Sequence, residues 1–346
     1  MSVFRPRLAV TLGDCAGVGP ETVLRALACE ELVRVCQLFV YGSETLLRRV
    51  ADQSGLGFPE SLTVRPRNRL TEAELSGERH VLIDDPFAEA RTLVPGAVQE
   101  VCGRKAYDWI CAAVQDVQRG VTSALVTAPI NKEALHLAGI RFPGHTEILA
   151  QLTQTRAPCM AFFSQGLIVS LATIHEALAD VPRLLSLQSL TRTIRLTEEA
   201  CREFGISRPR IGVLALNPHA GEHGLFGREE QDVLGPAIRK ATEEGLNVLG
   251  PLVPDTAFTW LLAKQPAPFD AYVAMYHDQG LIPFKMVAFD TGVNVTLGLP
   301  IIRTSPDHGT AFNIAWQAKA SPSSLFSAIT LAARMATRRH SAQPCP

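Results

Sequence analysis

Leu8-Ala9-Val10-Thr11-Leu12, then Gly13-Asp14-Cys15-Ala16-Gly17-Val18-Gly19-Pro20-Glu21, then Thr22 to Ala28, is the stretch on which the fold turns. An apolar, β-branched run ends at a glycine, and Pro20 stands where a helix can begin, because its fixed φ suits a first turn that needs no N–H there. The glycines allow close approach of the backbone to a ligand or to its own neighbours. Two readings stand side by side: a ligand loop, and a tight strand-to-helix turn. A dinucleotide fingerprint is not among them, because G-x-G-x-x-G fails after Gly19 and no G-K-S/T follows. Asp14 and Glu21 would also repel a phosphate.

The same grammar recurs along the chain. Strands are expected at Leu8 to Leu12, Leu38 to Tyr41, Val81 to Ile83, Ala124 to Thr127, Leu167 to Thr173, Ile211 to Leu216, Ala271 to Met275 and Val293 to Leu297. Helical spacing runs through Glu21 to Ala28, Val98 to Val117, Leu187 to Phe204, Glu229 to Glu243 and Ser323 to Ala336. Such alternation predicts an α/β fold, a parallel or mixed sheet with helices on both faces. Ser54 to Arg79 reads as an irregular surface excursion, and Arg338-Arg339-His340 as a solvated tail.

A length of 346 residues, 47% hydrophobic and 19% charged, suffices for two ordinary domains. With 33 basic against 34 acidic residues, no global field recruits nucleic acid or an anionic membrane. The eight cysteines include no C-x-x-C pair, so neither a zinc knuckle nor a disulfide framework is written, and reduced cytoplasmic thiols are expected. The start, MSVFRPRLAVTLG, passes straight into a strand-like run, too short for a signal peptide. No stretch reaches the length of a membrane span.

Chemistry-bearing residues gather after strands. Tyr276-His277-Asp278-Gln279-Gly280, with Lys285, Asn294, Arg303 and Asp307-His308-Gly309 behind it, crowds polar groups into apolar surroundings. Unpaired there, they would be costly, so they ask for a ligand. His175 and His219 (in Asn217-Pro218-His219-Ala220-Gly221-Glu222) also follow predicted strands, which would bring three histidines to one sheet edge. Their spacing matches no local metal signature, yet three imidazoles in equivalent positions suit zinc, cobalt or nickel and leave coordination open for substrate. Thr127 to Lys132 ends another strand, and Gly144-His145-Thr146-Glu147 follows with donors for phosphate or carboxylate. Thr146 is equally placed to cap a helix. Lys285, Asn294 and Arg303 sit among apolar residues as an anion pocket would.

Taken together, G-D-x-A-G-x-G-P-E, T-A-P-I-N-K, A-G-I-x-F-x-G-H-T-E, L-N-P-H-A-G-E-x-G-x-x-G, Y-H-D-Q-G-L-I-P-F-K and G-V-N-V-T-L-G-L-P-x-I-R-T-S-x-D-H-G-T-A resemble the motifs of the 4-hydroxythreonine-4-phosphate dehydrogenase family of pyridoxal phosphate synthesis. The resemblance runs from about Leu8 to Ala333. It implies a two-domain α/β/α fold similar to isocitrate and isopropylmalate dehydrogenases, without a Rossmann fingerprint. The expected first domain is 1–130 plus 290–346; the second, 131–289, carries the metal histidines. It further implies a homodimer with a shared site. His175, His219 and His277 match its divalent-metal ligands (zinc, cobalt or magnesium), and His145, Thr146, Lys285, Asn294 and Arg303 its substrate contacts. Lys285 and Asp278 are the candidate catalytic residues, and Asp307, His308 and Gly309 the candidate NAD or NADP contacts. The implied reaction oxidises the 3-hydroxyl of 4-phosphohydroxy-L-threonine, with loss of carbon dioxide giving 3-amino-2-oxopropyl phosphate.

The chain departs from this pattern in places. Ala97 follows Gly96 where the family often has lysine, and Glu176-Ala177-Leu178-Ala179 follows His175 where an apolar residue, Pro, Leu and Arg are common. Cys15 replaces a common proline, and Ala315-Trp316-Gln317-Ala318 a glycine-containing turn. These changes bear on the substrate's anionic group. They leave 4-phospho-D-threonate, D-erythronate 4-phosphate or a terephthalate-derived cis-dihydrodiol as rival substrates, and a non-catalytic metal-containing binding protein as a rival of another class.

Overall fold

The computed structural model describes residues 4–66, 79–164, 166–263 and 266–342. From the amino end the chain forms β1 (Arg7–Thr11), α1 (Gly19–Leu27), α2 (Glu30–Val35), β2 (Gln37–Gly42), α3 (Glu44–Ser54), β3 (Leu62–Pro66), β4 (His80–Asp84), α4 (Glu100–Gln118), β5 (Ala124–Thr127), α5 (Lys132–Leu137) and α6 (His145–Leu152). There follow β6 (Cys159–Ser164), β7 (Leu167–Leu171), α7 (Val181–Leu184), α8 (Leu187–Phe204), β8 (Ile211–Leu214), α9 (Gly235–Glu243), β9 (Val248–Leu252), α10 (Trp260–Ala263), β10 (Ala271–Ala274), α11 (His277–Ala288) and β11 (Val293–Leu297). The chain then forms β12 (Arg303–Pro306) and α12 (Ser323–Ala342). The fold is α/β, as the alternation predicts.

Contacts divide the chain into two units, Met1–Ala157 with Leu299–Pro346, and Pro158–Gly298. The divisions lie beyond the 130 and 289 expected from sequence, so His145 and Thr146 belong to the first unit.

In the first unit the strand order is β3-β4-β2-β1-β5-β12, parallel throughout. Helix α4 lies against β1, β2 and β5, with α5 and α6 beside it, while α12 lies against β12, β5 and β1 in the company of α1 and α2. Covered on both faces, the strands need no polar side; Leu8, Ala9 and Val10 are all fully buried. The loop from Gly13 to Glu21 is buried along its whole length, which decides for the packing turn. Gly13 adopts φ +69°, and a Cβ there would stand 2.2 Å from the Pro129 carbonyl oxygen, so only glycine fits. Glu21 is buried and accepts from the Ala318 and Ala320 amides rather than facing a ligand. Where glycine is missing from the turn near 315, Trp316 and Ala318 themselves take positive φ, and the Trp316 indole donates to the Cys15 carbonyl.

In the second unit the order is β11-β6-β7-β10-β8-β9, with β6 antiparallel to both β11 and β7 and the rest parallel. Period-2 alternation divides β10 between two cores. Val273 joins Leu190, Ile194 and Ile238 under α8 and α9, whereas Tyr272 and Ala274 join Leu281 and Phe284 of α11.

Several expectations change. β7, β8 and β10 stop short of Thr173, Leu216 and Met275, so His175 does not close a strand and His277 begins a helix. Arg338, Arg339 and His340 lie in α12 rather than in a tail, with His340 stacked on Phe4. The excursion from 54 to 79 contains β3; its part from 67 to 78 lies outside the described residues, as does Cys345. Among the described residues no helix is long and apolar enough to cross a membrane.

Candidate active site

The first unit builds a cationic cradle. Arg303, the first residue of β12, is 3% exposed and donates from Nη2 to Thr127 Oγ1 at 2.7 Å, at the end of the neighbouring parallel strand β5. Burial lowers the guanidinium pKa to about 9, with Glu147 acting against the shift. A cation is costly to bury, and the bond to Thr127 and the charge of Glu147 offset part of that cost. His145 and Thr146 open α6, where unsatisfied amides and the helix dipole favour negative charge. Burial, and then the charge of Arg303, hold the His145 imidazole neutral, well below its ordinary range. Its Nε2 is buried without a hydrogen-bond partner, a donor or acceptor waiting for a ligand atom.

Beyond β12, Asp307 is half-buried, and its backbone amide donates to Ser324 Oγ. His308 and Gly309 are exposed, and His308 Nδ1 lies 2.9 Å from the Gly309 carbonyl.

The second unit carries all three expected metal histidines. His175, His277 and His219 follow β7, β10 and β8, which are neighbours in that order and parallel, so the three leave the same sheet edge. The His175 and His277 rings are 5.8 Å apart between centroids. Two zinc–nitrogen bonds of about 2.1 Å, added to the offset of each ring nitrogen from its centroid, span that gap. His277 Nδ1 is paired with Asp278 Oδ1 at 2.7 Å, a carboxylate partner of the kind that orients a histidine for ligation through Nε2. His219 does not join this pair: among the described residues, no group of three His, Cys, Asp or Glu side chains is gathered closely enough to hold a metal ion. The pair fits a metal by donor chemistry and spacing; among the described residues the triad is not assembled.

His219 owes its placement to unusual backbone. From His219 to His223 five consecutive residues have positive φ, four of them not glycine, in a left-handed turn. Each such residue costs about 1–2 kcal/mol, so surrounding contacts must hold the turn. Gln279, in the first turn of α11, ties the two histidine-bearing segments: its Oε1 accepts from the Met275 amide and its Nε2 donates to the Ala215 carbonyl, both at 2.7 Å.

Of the remaining candidates, Lys285 is half-buried on α11, and Asn294 lies on β11 with its Oδ1 buried and unpartnered. Sequence reading did not single out Thr127 or Gln279, although both stand inside the quoted motifs; the signal was a polar residue at a strand end. Buried Asp14, whose carboxyl is pushed up to about 6 by desolvation against a bond from the Ala16 amide, has no partner at Oδ2.

A family model described as pyridoxal phosphate biosynthetic protein PdxA matches residues 34–332. The chain is 43% identical to 4-hydroxythreonine-4-phosphate dehydrogenase from Trichlorobacter lovleyi, over 98% of this chain and 100% of that one. It is likewise 43% identical to D-threonate 4-phosphate dehydrogenase from Salmonella typhimurium, over 95% and 98% of the two chains. The crystal structure of 4-hydroxythreonine-4-phosphate dehydrogenase from Klebsiella pneumoniae superposes with a TM-score of 0.84 at 39% identity, covering 97% of this chain and all of that one.

Proposed function

The chain belongs to the PdxA family of pyridoxal phosphate biosynthetic proteins, and we propose that it oxidises the 3-hydroxyl of 4-phosphohydroxy-L-threonine with NAD or NADP. The product, 2-amino-3-oxo-4-phosphooxybutanoate, loses carbon dioxide to give 3-amino-2-oxopropyl phosphate. The observation that carries the reading is the buried Arg303 guanidinium beside the neutral His145, whose buried Nε2 has no hydrogen-bond partner: a cation and a hydrogen-bonding ring suited to a phosphorylated or carboxylated ligand.

When bound, a divalent metal supplies Lewis acidity toward an alcohol oxygen, and a nicotinamide dinucleotide supplies the hydride acceptor. His175 and His277 would hold the metal, joined by His219 once a second copy of the chain completes the site, and Asp278 orients His277. Arg303, His145 and Thr146 bind the substrate's anionic group, and Asn294 offers its buried Oδ1 to a substrate donor. Lys285 would take the proton of the reacting hydroxyl and later give a proton to the carbon from which carbon dioxide leaves, and Asp307, His308 and Gly309 would face the cofactor. A second copy of the chain completes the site. Ile282, Met286, Val287 and Phe289, on and just after α11, are 51–74% exposed and form the apolar face that such a dimer would cover.

The test is reduction of NAD or NADP by metal-stripped protein with 4-phosphohydroxy-L-threonine, before and after adding zinc, cobalt or magnesium. Full activity in a verified metal-free sample overturns the metal reading. A second substrate reading has specific support, since the D-threonate 4-phosphate enzyme is as similar as the first relative and Glu176 and Ala179 change the charge after His175. Reaction with D-threonate 4-phosphate alone would select it.

A further inference from the structure

We propose that Glu230 is a positioning residue for His219, its buried carboxylate holding the left-handed turn that aims the imidazole. The inference rests on the reading of His219 as a metal ligand. Glu230 is 6% exposed and opens the π-helical turn Glu230–Leu234 that leads into α9. Its Oε1 accepts from the backbone amides of Leu216 at 2.9 Å and Asn217 at 2.7 Å, the residues that carry the chain out of β8. Its Oε2 accepts from Asn217 Nδ2 at 2.9 Å, and that same nitrogen donates to Glu229 Oε2 at 2.7 Å.

The turn is wrapped on this carboxylate. A Cβ on Gly221 would come within 2.6 Å of Glu230 Oε2, and one on Gly227 within 2.4 Å of Asn217 Nδ2, so both glycines let the backbone close around the clasp. His219 itself is exposed, and among the described residues its ring lies beside Phe226, 6.2 Å away between centroids with the planes inclined by 48°. Side-chain packing therefore does little to aim the imidazole; the backbone aims it, and Glu230 sets the backbone. A merely structural Glu230 would satisfy the end of β8 without affecting metal affinity.

The full-length protein is titrated with Co²⁺ and Zn²⁺ against a chelating indicator, with thermal unfolding followed on the same samples, for wild type, Glu230→Gln, His219→Ala and the double variant. In Glu230→Gln an amide faces the Asn217 amide, so the clasp opens while size is kept. We expect it to weaken metal binding about 10- to 100-fold, as loss of an orienting partner does, and to alter the cobalt spectrum. The double variant should bind no more weakly than His219→Ala, because Glu230 acts through His219. Unchanged affinity in Glu230→Gln, or losses that add in full in the double variant, overturns the positioning role. Unchanged affinity in His219→Ala instead overturns the metal reading beneath it. Should Glu230→Gln fail to fold, Asn217→Ala removes only the side-chain half of the clasp and must show the same non-additivity.

Discussion

The His175 and His277 imidazoles face each other with ring centroids 5.8 Å apart and planes inclined by 38°, although 102 positions separate them (277 minus 175). Neighbouring parallel strands bring them together, and Asp278 fixes the second ring through Nδ1. Replacing either histidine with alanine is expected to abolish tight metal binding. Asp278→Asn keeps the shape and removes the charge that favours the bound tautomer, so metal affinity should fall about 10- to 100-fold. Competition titration with a chelating dye checks this, and unchanged affinity in Asp278→Asn would remove Asp278 from the site.

Arg303→Gln tests the anion cradle. A charge-assisted hydrogen bond contributes about 1.5–3 kcal/mol, so kcat/KM for a phosphorylated substrate should fall about 10- to 150-fold. Because the guanidinium is buried and its charged form disfavoured, the same change should not lower the thermal midpoint. A large loss of stability with normal kinetics would assign Arg303 to the core instead.

Two buried groups give acid stability opposite slopes. His80 accepts from the Leu38 amide at Nδ1, and burial, then the charges of Arg5 and Arg79, lower its pKa to about 4. Its contribution is complete above its unfolded pKa of about 6.5 and is lost as pH falls through 4, on the order of 3 kcal/mol in all. Asp14, raised to about 6, has the reverse sign: its contribution is complete below the unfolded pKa of about 3.8 and is lost as pH rises through 6. His80→Asn, which keeps an acceptor for Leu38, should reduce the acid-side loss. Asp14→Asn, which keeps the Ala16 bond, should stabilise the protein above about pH 6. Denaturant midpoints across pH 4 to 8, about the span of these shifts, decide both.

Gly221→Ala is expected to destabilise the second unit by about 2–3 kcal/mol, since it adds a Cβ 2.6 Å from Glu230 Oε2 at a φ of +77°. Chemical denaturation measures it. A change below about 0.5 kcal/mol would mean that the clasp yields easily.

Much of the fold was legible locally. Runs such as Leu8 to Leu12 and Ala124 to Thr127 declare strands because both faces are buried, and Leu187 to Phe204 matches α8 residue for residue. Other elements were hidden by their composition. β9 carries Gly250-Pro251 and β12 reads Arg-Thr-Ser-Pro, both turn-like; Gly280 and Pro283 obscure α11. Neighbouring strands supply the hydrogen bonds and burial that override those local preferences.

The amino-acid sequence alone determined the α/β class, the positions of most central strands, and which histidines, cations and amides stand after them. These follow from periodicity and residue chemistry within short windows. Only the tertiary structure decided that β10 lies between β7 and β8, that His175 meets His277, that Arg303 is buried against Thr127, and that His219 rides a left-handed turn closed by Glu230. Those arrangements depend on contacts between distant positions. The left-handed turn is moreover unfavourable by itself, so no local preference announces it, and it persists because a buried carboxylate holds it closed.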